Sequence, residues 1–81
     1  MKPLENRTVV ITGALGGLGR AVCAVVESQG ARVIRMDIAR DKSLPDCHVV
    51  DLTNADATRE SIQSFGPFDS LVNLAGGFAM G

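Results

Sequence analysis

The sequence predicts an α/β chain: a doubly wound parallel sheet of about four strands, in the order 3-2-1-4, with helices on both faces. Three observations carry this. Apolar runs of strand length alternate with segments of helical period. The first run, Thr8-Val9-Val10-Ile11, leads into the glycine-rich turn Thr12-Gly13-Ala14-Leu15-Gly16-Gly17-Leu18-Gly19, and a helical pattern begins near Leu18. Carboxylates stand where the second and third apolar runs end, at Asp37 and Asp51.

Each element has its own warrant. Lys2 to Asn6 is a polar lead-in, and Arg7 to Thr12 is the first strand. Its near-continuous apolar centre suits a parallel strand covered on both faces. The helix after the turn shows Leu18, Ala21, Val22, Val25 and Val26 as one apolar stripe, with Arg20, Glu27 and Gln29 away from it. Gly30 ends it as a left-handed C′ residue. Ala31 to Met36 is the second strand, closed by Asp37.

Ala39 to Asp46 is polar, holds Pro45 and has room for hardly one helical turn, so it is expected to be a loop that leaves one face of the neighbouring strands thinly covered. Cys47 to Val50 is a short third strand, ending at Asp51-Leu52. Thr53-Asn54-Ala55-Asp56 reads as a helix start, with a capping residue and then an acid in the first turn. That helix presents Ala55, Thr58, Ile62 and Phe65 and stops at Gly66-Pro67. Phe68 to Leu74 is the fourth strand, and Ala75-Gly76-Gly77 is the turn after it. Right-handed crossovers then place the two helices on opposite faces, with the switch point between strands 1 and 4 beside the glycine turn.

A strand, a glycine-rich turn and a helix form a phosphate-binding arrangement. Glycines let the backbone approach a ligand, and the helix N-terminus offers N–H groups and partial positive charge. Asp37, eighteen residues after Gly19, stands where such a fold places the carboxylate that accepts from the adenosine ribose hydroxyls. A carboxylate there welcomes the 2′-hydroxyl of NAD and repels the 2′-phosphate of NADP.

Composition bounds the rest. Eighty-one residues allow one small domain, taken as 1–81, and a chain this short buries a modest fraction of its surface. With 46% hydrophobic residues, 21% charged and a net charge of -1, it has the balance of a globular protein and offers no basic surface for nucleic acid or an acidic membrane. There is no bilayer-spanning run and no signal-peptide pattern, so a cytoplasmic location is expected. Cys23 and Cys47 read as reduced thiols, Cys23 in or near the core; no metal-ligand spacing is present, and His48 reads as a strand residue.

The glycines at 13, 17 and 19 give T-G-x-x-x-G-x-G, which resembles the short-chain dehydrogenase/reductase family. Asp51-Leu52 matches the family's D-[VL] pair, and Asn73-Leu74-Ala75-Gly76 its N-N-A-G motif with Leu74 for the second Asn. The resemblance covers essentially the whole chain. It implies a Rossmann-like, NAD(P)-binding part of an oxidoreductase that moves hydride between the cofactor and a small alcohol or carbonyl substrate, with a homo-oligomer expected. It also implies cofactor-facing roles for Gly13, Leu15, Gly17, Leu18, Gly19, Asp37, Asp51 (toward the adenine amino group), Leu52, Asn73 (steadying the sheet), Ala75 and Gly76.

NAD is expected in preference to NADP. The family's NADP users often carry a base at the positions of Gly16 or Ile38, and neither is basic here; Arg35 and Arg40 lie near in sequence. The family's catalytic Tyr-x-x-x-Lys has no counterpart, since the chain has no tyrosine, so no catalytic residue is assigned and these residues alone should be inactive. They are read as the dinucleotide-binding half of a longer chain. A non-catalytic nucleotide-binding or self-assembling half-fold is the alternative, and a methyltransferase of similar layout is a third reading.

Overall fold

The structure, a computed structural model, describes residues 2–44 and 46–74. In chain order the elements are β1 (Thr8–Thr12), α1 (Gly17–Ser28), β2 (Arg32–Asp37), β3 (Cys47–Val49), α2 (Ala55–Ser64) and β4 (Ser70–Asn73). The strands form one parallel sheet in the order β3-β2-β1-β4. Residues 39–44 and 46 form no helix, as their composition predicts.

Period-two alternation along β1 and β2 divides the core between the two faces. Val9, Ile11 and Val33 join Cys23 of α1, with Val22 and Val26 packed against them. On the other face Val10, Ile34, Met36 and Val50 meet Ala57, Ile62 and Phe65. The helices therefore lie on opposite sides of the sheet. The rings of His48 and Phe65 have centroids 4.6 Å apart, so His48 is a strand residue packed beneath α2.

Two helical faces differ from the expectation. On α1, Leu18 and Val25 are 67% and 61% exposed, and Ala21 is exposed too. The buried stripe is Gly19, Val22, Cys23 and Val26, which also recurs every three to four residues. Close approach of the helix start to the glycine turn rotates Gly19 inward and Leu18 outward. On α2, Ala57 takes the inward place expected of Ala55, which is exposed. Gly30 follows α1 at φ 99°, as a C′ glycine should.

Beyond Val33, the α1-side face of β2 carries a buried charge that pairs with α1 itself. Arg35 is buried, and its Nη2 lies 2.8 Å from Oε1 of Glu27 on α1. Nearby, Arg32 and Asp46 form a bidentate pair, with Nε–Oδ2 and Nη2–Oδ1 both at 3.0 Å, and Asp46 has a left-handed φ of 49°. Hydrogen bonding from Arg32 holds the Asp46 carboxyl below its usual range, against partial burial.

A depressed carboxylate stabilises the fold fully above its unfolded pKa of about 3.9, and that contribution is lost as pH falls through the lower folded value. Asp46→Asn, which tolerates left-handed backbone, is therefore expected to cost no more than an exposed ion pair at pH 7. It should also flatten part of the acid-side loss of stability. Urea melts at pH 7 and pH 3 check this: the gap between wild type and variant should shrink at the lower pH.

Candidate functional site

The C-terminal ends of β1, β2 and β4 meet at the glycine turn, and hydrogen bonds from both neighbours hold it. Gly13 N and Ala14 N both donate to Met36 O, at 2.8 and 3.3 Å, so the β1–β2 ladder continues into the turn. Gly13 makes the bend at φ 69°, a conformation glycine adopts without a Cβ clash. On the other side, Thr12 Oγ1 donates to Asn73 Oδ1 at 2.7 Å, and Leu74 N donates to Thr12 O at 3.0 Å.

Gly19 and Gly17 are glycines for different reasons. A Cβ on Gly19 would lie 2.8 Å from two backbone atoms of Ala14 and closer still to Gly13 O, so α1 can start this near the turn only without a side chain there. A Cβ on Gly17 would meet nothing within 4 Å, and its φ is not left-handed. Nothing in the described chain demands glycine at 17; the space beside it is open.

The two helix starts differ as well. Asn54 Oδ1 accepts from Ala57 N at 3.0 Å, and Asp56 stands in the first turn of α2, so that end is capped by its own chain. At α1 the N-cap is Gly16, no side chain caps it, and no acid lies in its first turn. The positive end of α1 thus faces the open space beside Gly17 without a carboxylate of its own helix.

Asp37, the last residue of β2, is half-buried and turned toward the turn. Its Oδ2 accepts from Leu15 N at 2.9 Å, and its Oδ1 from Ala39 N at 3.1 Å. Asp51, beyond β3, accepts from Thr53 N at 3.0 Å and from Thr53 Oγ1 at 2.6 Å. Those bonds draw its carboxyl below the usual range. Leu52 packs against the α2-side core.

Comparison with known proteins adds to this geometry. The family model described as the NAD dependent epimerase/dehydratase family matches residues 9–80. The chain belongs to the NAD-dependent epimerase/dehydratase family.

An uncharacterized oxidoreductase of Schizosaccharomyces pombe is 38% identical over 80 residues, which cover 90% of this chain and 31% of that protein. The FabG 3-oxoacyl-(acyl-carrier-protein) reductase of Thermotoga maritima is 34% identical, covering 90% of this chain and 36% of the enzyme. Among solved structures, ligand-free aldohexose dehydrogenase of Thermoplasma acidophilum superimposes with a TM-score of 0.81 at 33% identity, covering 90% of this chain and 31% of that one. These relatives bear out the short-chain dehydrogenase/reductase resemblance. The chain spans about a third of the length of the relatives it matches.

As a member of that family, the chain brings Gly13, Leu15, Gly17, Leu18, Gly19 and Asp37 together around the start of α1, with Asn73 on the adjoining strand. Asp51 and Leu52 follow β3, at the far side of β2. Ala75, Gly76 and the turn expected there lie outside the described residues. Asn73 is exposed on β4, the last strand of the sheet among the described residues. Leu74, where the family motif has a second Asn, packs partly against the α1-side core. Burial pushes the Cys23 thiol up, the marker of an unreactive core cysteine.

Three features escaped the sequence reading. Thr12 pairs with Asn73 through its side chain, although Thr12 entered only as the start of a motif. Arg35, noted as a base near the ribose position, is drawn away to Glu27. Arg20, placed simply on the polar side of its helix, donates from Nε to Leu15 O at 3.0 Å and from Nη1 to Asp41 Oδ2 at 3.1 Å. No local spacing signals that last pair, since its members are 21 residues apart.

No helix among the described residues is long and apolar enough to cross a membrane. Nor does any group of three or more His, Cys, Asp or Glu that could hold a metal form among them.

Proposed function

We propose that residues 1–81 form one domain that holds the adenosine and pyrophosphate half of a nicotinamide dinucleotide for an oxidoreductase acting on an alcohol/carbonyl pair. The observation that carries this is the contrast at the glycine turn. Gly19 is explained by backbone contact, whereas Gly17 opens onto space at a helix start that its own chain leaves uncapped. The negative charge of a pyrophosphate complements that helix start. In this reading Gly13, Leu15, Gly17, Leu18 and Gly19 surround the phosphates, and Asp37 faces the adenosine ribose. Asp51 and Leu52 border the adenine. Asn73, tied to Thr12, completes the wall beside β1, and Ala75 and Gly76 keep the cofactor-facing roles that the family motif implies.

NAD is favoured over NADP. Asp37 sits half-buried at the end of β2, Gly16 and Ile38 offer no cation, and Arg35 is committed to Glu27. The bound cofactor supplies the hydride chemistry; the residues described here bind and orient its far end. The small alcohol or carbonyl substrate, the homo-oligomer and the cytoplasmic setting belong to the reading of the whole oxidoreductase. The relatives named for reductase and dehydrogenase activities support it.

Calorimetric titration with NAD, ADP-ribose and nicotinamide mononucleotide tests the reading. ADP-ribose should bind and compete with NAD, while nicotinamide mononucleotide should not. Absence of binding by both NAD and ADP-ribose would overturn it.

A further inference from the structure

We propose that Asp41 is a specificity-determining residue, which favours NAD by holding the Arg20 guanidinium away from a 2′-phosphate. The inference rests on the reading of Asp37 as the ribose-facing carboxylate and extends it to a second pair of charges.

Leu15 is held at both ends of its backbone. Its N–H donates to Asp37 Oδ2 at 2.9 Å, and its carbonyl accepts from Arg20 Nε at 3.0 Å. The Arg20 side chain is therefore linked through the single residue Leu15 to the carboxylate that reads the ribose. Arg20 Nη1 then reaches Asp41 Oδ2 at 3.1 Å.

The two partners are not equally fixed. Asp41 Oδ1 accepts from Ser43 N at 3.0 Å and from Ser43 Oγ at 2.6 Å, and its side chain is 24% exposed. The Arg20 side chain is 52% exposed. Asp41 is the anchor, and Arg20 is the group able to turn. A planar guanidinium so placed suits bidentate contact with a phosphate.

An exposed ion pair alone is weak. Asp41 adds to it a negative charge on the ground that a 2′-phosphate dianion would occupy. The other charges near this end of the site are Asp37, which repels the same phosphate, and exposed Arg40 and Lys42 in the same loop. Arg35 and Glu27 are paired to each other across α1 and β2.

The test uses the full chain and reads dissociation constants for NADH and NADPH by cofactor fluorescence. Asp41→Asn keeps an amide oxygen for Ser43 and removes the charge. It should tighten NADPH on the order of tenfold, as expected for relief of one like charge near a dianion, with NADH changed less than about twofold. The gain in the NADPH/NADH ratio should vanish in R20Q/D41N and persist in R40Q/D41N.

An unchanged ratio in D41N, including NADPH binding that stays undetectable, overturns the proposal. So does an equal fall in both affinities, which marks a merely structural role, and so does a gain that depends on Arg40 rather than Arg20. If the unaltered chain binds neither dinucleotide, the reading of the site itself falls, and this inference with it. That result is distinct from normal NADH binding with an unmoved ratio.

Discussion

Gly19→Ala is expected to destabilise the protein by about 3 kcal/mol, at the upper end of the cost of forcing atoms into a packed site. The added methyl would press on Gly13 O and on the Ala14 backbone, 2.8 Å away, and no flexible side chain is there to yield. Either the glycine turn or the start of α1 must move. For a chain of this size the loss is a large fraction of total stability, roughly 4–12 kcal/mol. It should lower the thermal midpoint by roughly 12–24 °C.

Gly17→Ala is the informative partner. Its methyl points into open space at an ordinary φ, so the midpoint should stay within a few degrees of wild type. Dinucleotide affinity should nonetheless fall about tenfold or more, because the methyl would stand where the pyrophosphate approaches. Thermal melts and NADH titrations of the two variants separate a glycine required by the fold from one required by a ligand. If Gly17→Ala binds NADH as well as wild type, the phosphate reading of that space is wrong.

Asp37→Ala is expected to weaken NADH by about 10–100-fold. One or two charge-assisted hydrogen bonds to the ribose are lost, each worth about 1.5–3 kcal/mol. Leu15 N and Ala39 N also lose their acceptor. NADPH should suffer less, because removal of the charge also removes repulsion of its 2′-phosphate, so discrimination between the two relaxes. Asp37→Asn keeps an oxygen for Leu15 N and should recover turn order without recovering full preference for NADH. Retention of both affinity and preference in Asp37→Ala would show that Asp37 has no part in binding.

The sheet order was legible because each strand carries its own signal. Val9-Val10-Ile11 and Val33-Ile34 are apolar on both faces, as central parallel strands must be, and Gly13, Asp37 and Gly30 mark the ends of elements in the expected places. The absence of a helix between β2 and β3 followed from sheer shortness. Which face α1 buries was not legible. Leu18, Val22, Val25 and Val26 satisfy a helical period as well as Gly19, Val22, Cys23 and Val26 do, and a contact made through a missing side chain leaves no trace in a hydrophobicity pattern.

The candidate site divides in the same way. Asp37 and the glycines were found because a short motif carries their chemistry. The ties that hold the motif, Thr12 to Asn73 and Arg20 to Asp41, join residues 61 and 21 positions apart, and only the folded sheet brings them together. Arg35 shows the converse: proximity in sequence placed it near the ribose, whereas strand alternation turned it toward Glu27.

The most direct test of the central claim, that the glycine turn and Asp37 receive the adenosine-pyrophosphate end of a dinucleotide, is a titration of the isotope-labelled chain with NADH followed by its backbone amide resonances. The largest shifts should fall on residues 13–20 and 37–39, with smaller ones at Asp51 and Leu52, all saturating with a single dissociation constant. Shifts centred on another face, such as the outer side of α2, or none at millimolar NADH, would contradict it.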